Sequence, residues 1–397
     1  MPVRIITTKE ERLQCEKIES TAFVYSMDTQ KVLQSLEKDD PSPDVCMGYF
    51  NDQDVMTACM VLPKFQIRYE DHWIPMTGVG GVASLPEYRF GGAIRQIFQT
   101  AFEKMRSDGT VFSALYPFSH KYYRKFGYET CQTTIEYEIP TEALSNFRYS
   151  GKVSMFQPED SIQGFQSVFS AHFSRYHMAI QREDRHWKKI LGENPYKERV
   201  YSYLLGEEQD PHAYVIIAAQ DSDSYGKIAQ VREMAFTSPK GFSDILGFLY
   251  RLSAQYKKIR VSLPDDIPLP AVIEESYDLH TNFGNQQMTR VIDVKKALEL
   301  KPHFPGAAYT VQVQDDMIPE NNGMFKVHCS QQTVVAEKID SAVSADLTVD
   351  VGTFTQLLIG YLSLDEALFK KGIQVHKNYE VLSKIFTKRN VFLTDFF

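Results

Sequence analysis

The sequence lacks the features that mark several large classes of protein. None of its apolar runs reaches the roughly 18 residues of a membrane-spanning helix, its N-terminus has no apolar signal segment, and it has no basic block that would indicate a nucleic-acid partner. The five cysteines form no CxxC pair, which argues against disulfides and zinc and favours a reducing compartment. We therefore expect a cytoplasmic protein, and the net charge of −8 would attract a cationic substrate.

At 397 residues the chain is too long for one ordinary core. Strand-like and helix-like segments alternate through residues 1–145 and again through residues 146–295, which predicts two α/β domains. Short strands precede helices in residues 296–397, where we expect an α+β domain. The second domain repeats the strand–turn–helix order of the first, but its turn, TSPKGFSD, has neither the arginine nor the glycine pair of the first turn. We expect a duplication whose second copy has lost its binding site.

The first turn lies in PEYRFGGAIR, residues 86–95, between a hydrophobic strand and a helix. The helix is predicted from apolar residues at helical spacing, namely Ile94, Ile97, Phe98, Ala101, Phe102 and Met105. Its first turn near Gly91 presents unpaired backbone N–H groups, to which an anion can bind. Gly91 and Gly92 allow close approach to the main chain, and Arg89 adds positive charge. From this pattern alone, a glycine-rich turn without a ligand remains the alternative.

A second segment, GTVFSALYPFSHKYYRKFGYE, follows that helix with a strand, a helical turn and the sequence Phe126-Gly127-Tyr128. Together the two segments resemble the GNAT family of acetyl-CoA-dependent N-acetyltransferases, and within it the Eis-like (enhanced intracellular survival) proteins. The family pattern R-x-x-G-x-G/A is departed from at Ile94. The resemblance implies two tandem GNAT domains, the second degenerate, then a sterol-carrier-protein-like α+β domain. It also implies a homo-oligomer, a hexamer.

The resemblance further implies where acetyl-CoA, the co-substrate, would bind. The main chain of Gly81, Val82 and Ala83 would hold the pantetheine arm, and the Val82 N–H would donate to the thioester oxygen. The pyrophosphate would be bound by the N–H groups of the turn, at Arg89, Phe90, Gly91, Gly92 and Ala93. Tyr123 would protonate the leaving thiolate. We expect its neighbour Tyr122 to serve packing.

The base implied by the resemblance is the free carboxylate of Phe397. The chain ends in VFLTDFF, whose aromatic side chains would be costly in water unless they dock. Docking for packing alone remains the alternative. Internal candidates for the base are Glu19, Asp28 and His120, each of which we expect to be a solvated surface group.

The acceptor would be a small-molecule or peptide amine, since Eis-like relatives acetylate aminoglycosides and lysine or peptide amines, and polyamines share that chemistry. Its pocket would be built from Phe23, Val24, Tyr25 and Phe396. Tyr25 and Phe396 stand near positions where relatives can carry acidic residues, so aminoglycoside acetylation should be weaker or narrower here.

Two alternatives concern the ligand. In the first, the chain is a non-catalytic lipid- or acyl-CoA-binding protein that uses its third domain, although Leu357, Leu358, Tyr361 and Leu362 would equally fill an ordinary core. In the second, a longer acyl group is transferred, because the paired domains also resemble N-myristoyltransferases. No metal is expected, since no metal-ligand spacing is found among His172, His177, His186 and His328. We expect a purely structural role for Arg182 and Trp187.

Overall fold

The computed structural model describes residues 2–37, 44–192, 194–207, 209–221, 227–284, 287–340 and 344–397. The chain forms two compact units, one made of Met1–Gln132 with Gln286–Phe397 and the other of Thr133–Asn285. Among the described residues, we find no helix whose length and apolar character would let it cross a membrane.

The described residues up to Gln132 contain the following strands and α-helices. The strands are β1 (Val3–Ile5), β2 (Val45–Phe50), β3 (Met56–Leu62), β4 (Lys64–Tyr69), β5 (His72–Ser84), β6 (Phe112–Leu115) and β7 (Glu129–Thr130). The helices are α1 (Lys9–Phe23), α2 (Thr29–Glu37), α3 (Ala93–Ser107) and α4 (His120–Arg124). All the strand pairs among them are antiparallel except β5 with β6, which are parallel.

Helices α1 and α3 cover different faces of this sheet. Cys15 and Ile18 of α1 share a buried apolar cluster with Cys59 of β3 and Ala83 of β5. Helix α3 packs on the other face, where its cluster includes Val79. The buried positions of α3 are Ala93, Ile97, Phe98, Ala101, Phe102 and Met105. Five of these are the expected apolar positions, and the sixth expected position, Ile94, is half-buried against the same cluster.

The second unit contains one seven-stranded sheet in the order β14-β8-β13-β12-β11-β10-β9. Its strands are β8 (Thr134–Pro140), β9 (Val153–Met155), β10 (Val200–Glu207), β11 (Asp210–Gln220), β12 (Lys227–Phe236), β13 (Tyr256–Pro264) and β14 (His280–Gly284). Its helices are α5 (Gln163–Phe173), α6 (Asp184–Leu191), α7 (Pro195–Glu198), α8 (Pro239–Arg251) and α9 (Leu269–Val272). Strands β12 and β13 are parallel and are joined through α8.

The remaining residues return to the first unit. Their strands are β15 (Met288–Val291), β16 (Ala308–Gln314), β17 (Gly323–Cys329), β18 (Val334–Ile339), β19 (Leu347–Asp350) and β20 (Ile373–Val375). Their helices are α10 (Val294–Glu299), α11 (Val351–Ile359), α12 (Leu364–Ala367) and α13 (Tyr379–Ile385). Strand β15 completes the first sheet, whose order is β1-β2-β3-β5-β6-β15-β7, and the others form a five-stranded sheet in the order β18-β17-β16-β19-β20.

The sheets divide near residues 132 and 286. Strand β8 therefore belongs to the second sheet although it precedes residue 145, and β15 belongs to the first sheet although it precedes residue 295. Arg290 of β15 is fully buried and donates to Asp315 Oδ1 at 2.7 Å. The domain boundaries that we expected at residues 145 and 295 remain predictions.

The fold classes expected from the sequence are confirmed: two mixed α/β sheets precede a five-stranded sheet with its own helices. Every residue of α11 is buried, including Leu357 and Leu358. Tyr361 and Leu362, just beyond its end, are half-buried. These positions pack in the core of this region.

Candidate active site

Strand β5 has a free edge at its C-terminal end. Its pairing with β6 ends at Val79 and Leu115, but β5 continues to Ser84. On its other side the register with β3 shifts between Cys59 and Val61, which is a β-bulge. Gly81 lies in this bulge with φ of +56°, a conformation that favours glycine. Beyond Val79, the edge of β5 that faces β6 pairs with no other strand of the described residues and can bind a ligand through its main chain.

A cavity of about 650 Å³ lies beside this end of β5. Parts of α1, β5, the turn after β5, α3 and α4 contribute to its wall. The lining residues are Ala22, Phe23, Val82, Ala83, Ser84, Tyr88, Arg89, Phe90, Gly91, Gly92, Ala93, Ile94, Arg95, Phe118, Tyr122, Lys125 and Phe126. With the exception of Gly81, all the residues expected to bind acetyl-CoA line this one cavity.

The charge of the cavity is opposite to that of the chain. Among the described residues, its lining contains three cations, Arg89, Arg95 and Lys125, and no acidic residue. None of the three forms an ion pair with another described residue. Cations left without counter-charges around a cavity favour an anionic ligand.

The N-terminus of α3 opens into the same cavity. Its N-cap residue is Gly92, whose φ is +81° and which has no side chain to cap the free N–H groups. A Cβ at Gly92 would contact nothing within 4 Å, so backbone conformation and not lack of space requires glycine there. Phe90 has φ of +68° and a fully exposed ring, which is a strained backbone for a bulky residue. The turn thus leaves backbone donors available for an anion such as a phosphate.

Tyr123 lies in the aromatic cluster behind α3. Helix α4 begins after Ser119, whose hydroxyl accepts from the Tyr122 N–H, and Tyr123 is the buried residue of this helix. Burial, with lesser contributions from Tyr122 and Tyr128, raises the pKa of Tyr123 above its usual range, so its phenol keeps its proton at neutral pH. Tyr122, expected to serve packing, is half-buried and lines the cavity, whereas Tyr123 is not among the lining residues.

The glycine of the Phe-Gly-Tyr segment has a structural explanation. Gly127 has φ of +78°, and a Cβ there would collide with the guanidinium of Arg290. Arg290 donates to the carbonyl of Phe126. The segment that follows Tyr123 is therefore held by a buried arginine of β15.

The C-terminal segment reaches β5 from the side of β6. Leu393 N–H donates to Gln132 Oε1 at 2.6 Å, and the Tyr116 hydroxyl donates to the Asp395 carbonyl at 2.8 Å. The Phe397 ring fills the space that a Cβ on Gly78 would need, and its centroid lies 4.8 Å from that of Phe65.

The terminal carboxyl group itself lies beside Gly80. Its carbon is 3.9 Å from the position that a Cβ on Gly80 would take. The chain therefore brings a carboxyl group next to the bulge of β5. Phe396 packs against Tyr116 at 4.3 Å between centroids, but its ring remains largely exposed.

Comparison with known proteins identifies the family. Two acetyltransferase (GNAT) domain models match residues 3–131 and 178–291, together more than half of the chain, and a sterol carrier protein domain model matches residues 294–394. The chain belongs to the GNAT family of N-acetyltransferases. Two GNAT domains followed by a sterol carrier domain are the order expected from the sequence.

Related proteins agree with this GNAT assignment. An uncharacterized N-acetyltransferase of Streptomyces griseus is 22% identical over 303 residues, which is 71% of each chain. The crystal structure of a GCN5-related N-acetyltransferase from Anabaena variabilis covers both chains fully with a TM-score of 0.86 at 20% identity. Eis1 from Mycobacterium abscessus also covers both chains fully, with a TM-score of 0.77 at 16% identity. At these identities the two structures show a shared fold.

Glu19 of α1 lies in surroundings that differ from those expected from the sequence. Glu19 was expected to be a solvated surface group, and this is wrong: it is half-buried, and its carboxylate occupies the space that a Cβ on Gly81 would need. The Cys15 thiol donates to Glu19 Oε1 at 3.6 Å. Burial, and then the nearby Glu16, raise the pKa of Glu19. A sequence pattern gives no signal for this contact, because it depends on how α1 crosses the bulge.

The other residues expected near α1 or as candidate bases differ in their exposure and in whether they line the cavity. Phe23 lines the cavity, whereas Val24 and Tyr25 follow the end of α1, are exposed and are not among the lining residues. Asp28 is exposed, as expected, and accepts from the N–H groups of Gln30 and Lys31 at the start of α2. His120, expected to be solvated, is half-buried.

Proposed function

We propose that this GNAT enzyme uses acetyl-CoA as donor and transfers the acetyl group to an amine, as an Eis-like enzyme. The observation that carries the proposal is the cavity, where the uncapped N-terminus of α3 and the cations Arg89, Arg95 and Lys125 meet without any acidic residue. The phosphates of CoA have the complementary charge and bind well to backbone N–H groups and guanidinium groups. Acetyl-CoA supplies the thioester from which the acetyl group is transferred.

The free edge of β5 supports a role for its main chain in the reaction. We assign the Val82 N–H as donor to the thioester oxygen, with Gly81 and Ala83 beside the pantetheine arm. A preorganised N–H donor stabilises the negative charge that develops on this oxygen as the amine attacks.

Two further groups are assigned to proton transfer. Tyr123 is assigned as the acid that protonates the leaving thiolate, since its phenol carries a proton at neutral pH and its ring lies 5.3 Å from that of Tyr122, which lines the cavity. The carboxylate of Phe397 is assigned as an acceptor of a proton from the amine, which its closeness to Gly80 supports.

The acceptor is a cationic amine of the polyamine, aminoglycoside or lysine and peptide class. The rings of Phe23, Tyr25 and Phe396 are exposed, and exposed aromatic rings suit contacts with cations. A panel of these amines, screened by the release of free CoA, identifies the preferred class. Sedimentation tests the hexamer implied by the family resemblance.

Calorimetric titration with acetyl-CoA tests the proposal. We expect the wild-type chain to bind, and Arg89→Ala to weaken binding about 10- to 100-fold, because a charge-assisted hydrogen bond contributes about 1.5–3 kcal/mol. Arg251→Ala, on α8 in the second unit, is the matched control and should bind normally. Absence of binding, together with a lipid that co-purifies in native mass spectrometry, would favour the lipid-binding alternative, and tighter binding of myristoyl-CoA would favour longer acyl groups.

A further inference from the structure

A carboxylate to which no role has been assigned, that of Glu19, lies beside the bulge of β5. Glu19 lies one helical turn before Phe23, which lines the cavity, and one turn after Cys15, so the three share a face of α1. This face packs on β3 and β5, since Cys15 clusters with Cys59 and Ala83. Glu19 therefore lies deeper than Phe23, directly over the bulge.

The bulge brings two carboxyl groups to one face of β5. Val79 and Val82 pack on the side of α3, and Ala83 packs on the side of α1. Because side chains alternate along a strand, the two residues between the valines can both face α1 only where an extra residue is inserted, as the register shift here shows. The Phe397 carboxyl carbon lies at Gly80, and the Glu19 carboxylate lies at Gly81.

In acetyl transfer to an ammonium ion, the nitrogen loses two protons at different stages of the reaction, and two separate bases can each accept one of them. One proton must leave the nitrogen before its lone pair can attack the thioester carbon. After the new C–N bond forms, the nitrogen is again positively charged, and a second proton leaves as the C–S bond breaks. The products are an amide, a thiol and one proton released to solvent, so the two protons removed from nitrogen are balanced by one bound to sulfur and one in water.

We propose that Glu19 removes the first proton from the acceptor ammonium and that the carboxylate of Phe397 takes the second. The proposal rests on the proposed acetyl-CoA-dependent activity and narrows the acceptor to amines that are protonated at neutral pH. It also explains Gly81, because any side chain there would displace the Glu19 carboxylate.

The surroundings of Glu19 suit a base. The titratable groups that interact with it or lie close to it are Cys15, Glu16 and Tyr25 on or just beyond α1, Cys46 on β2 and Cys59 on β3. The carboxyl group of Phe397 lies at the neighbouring Gly80. None of these groups is a cation. A carboxylate whose pKa is raised toward the working pH is a more effective base than a fully solvated one.

The test compares two amines of similar shape and different basicity. Ethylamine is protonated at pH 7, whereas 2,2,2-trifluoroethylamine is largely unprotonated and does not need the first proton transfer. We expect Glu19→Gln to lower kcat/KM for ethylamine about 10²- to 10⁴-fold at pH 7 and to change kcat/KM for trifluoroethylamine far less. The difference in kcat/KM for ethylamine between the wild type and Glu19→Gln should shrink as the pH rises. The Kd for acetyl-CoA should be the same in both proteins. Glu10→Gln, an exposed glutamate on the same helix, is the control and should match the wild type with both amines.

The results distinguish failure of the Glu19 proposal from failure of the acetyltransferase proposal. Equal slowing of both amines by Glu19→Gln, or no slowing of either, overturns the role of Glu19 while the acetyltransferase proposal stands. A wild-type enzyme that binds no acetyl-CoA and acetylates neither amine at any pH overturns both. If Glu19→Gln fails to fold, Glu19→Asp decides, because a carboxylate drawn back by one methylene should slow ethylamine more than trifluoroethylamine. Equal slowing by Glu19→Asp overturns the role of Glu19.

Discussion

The two GNAT-type crossovers of the molecule have the same order of elements and opposite helix caps. Strand β5 leads to α3 through Gly92, which leaves the first N–H groups of the helix uncapped. Strand β12 leads to α8 through Ser238, whose hydroxyl accepts from the Gly241 N–H at 3.2 Å, and the next residue, Pro239, has no N–H at all. The second helix therefore has fewer free N–H groups at its N-terminus than the first.

The strands before these helices also differ, in the residues that lie at their register shifts. Both carry a register shift against the neighbouring strand, β5 at Gly81 and β12 next to Glu233. In the second unit Glu233 pairs with the buried Arg182 at 2.8 Å and accepts from the Tyr214 hydroxyl at 2.6 Å. Arg182 also lies over the ring of Trp187, 4.9 Å from its centroid, so both residues contribute to the packing of this unit. One backbone path can thus leave a cavity beside the helix N-terminus or enclose a buried ion pair, depending on which side chains occupy the bulge and the cap.

Extending the chain beyond Phe397 should have the largest effect on activity. A short C-terminal tag moves the terminal carboxylate away from Gly80, and we expect kcat to fall about 10²- to 10⁴-fold while the Kd for acetyl-CoA remains unchanged. Steady-state kinetics and calorimetry measure the two quantities, and the same tag placed before Pro2 is the control. A C-terminally tagged enzyme with full activity would show that the tail serves packing alone.

A capping side chain at the N-terminus of α3 should make the first crossover resemble the second, in which Ser238 caps α8. Gly92→Asp supplies a side-chain acceptor to the free N–H groups and a negative charge where the phosphates would bind, so we expect acetyl-CoA affinity to fall about 10- to 100-fold. Gly92→Asn has nearly the same shape without the charge and should lose much less affinity. Calorimetric titration measures both variants. Equal affinities for the two would mean that the helix N-terminus does not bind the phosphates.

Acid should weaken the second unit through a buried histidine. His172 of α5 contacts the Phe236 carbonyl at 3.0 Å, and burial lowers its pKa from 6.5 to about 4. Since the unfolded chain binds the proton more readily, the neutral histidine contributes stability above pH 6.5 that is lost as the pH falls toward 4. Between pH 8 and pH 5 we expect the free energy of unfolding to drop by about 2 kcal/mol more in the wild type than in His172→Gln. Denaturant titrations at both pH values measure this difference, and identical drops in the two proteins would contradict it.

The features that could be predicted from the sequence are those encoded locally. The periodicity of α3 and the Arg89-Phe90-Gly91-Gly92 turn lie within one short segment, and the structure gives them one cavity. The position of Glu19 could not be predicted in this way, because its contact with Gly81 joins residues 62 positions apart through the crossing of α1 over the bulge.

The sequence also could not predict which sheets β8 and β15 join. Strand β8, TIEYEIP, shows ordinary apolar alternation, whereas β15, MTRV, is too short to show a pattern, and neither sequence indicates which sheet the strand joins. Their partners depend on where the chain passes from one unit to the other. Our division of the chain followed composition along the sequence, which carries no information about such long-range pairing.

The place of β15 in the first sheet has a consequence for synthesis of the protein. Met288 pairs with Leu115, so roughly 170 further residues must be translated after β6 before its partner exists. At about 5–20 residues per second the ribosome needs on the order of 10 to 35 s for this stretch. During that time β6 and β7 each present an unpaired edge in the nascent chain, and such edges are the usual starting points of aggregation. An N-terminal fragment ending near residue 131 would keep those edges permanently, so we expect chaperones to engage the chain longest at this early sheet.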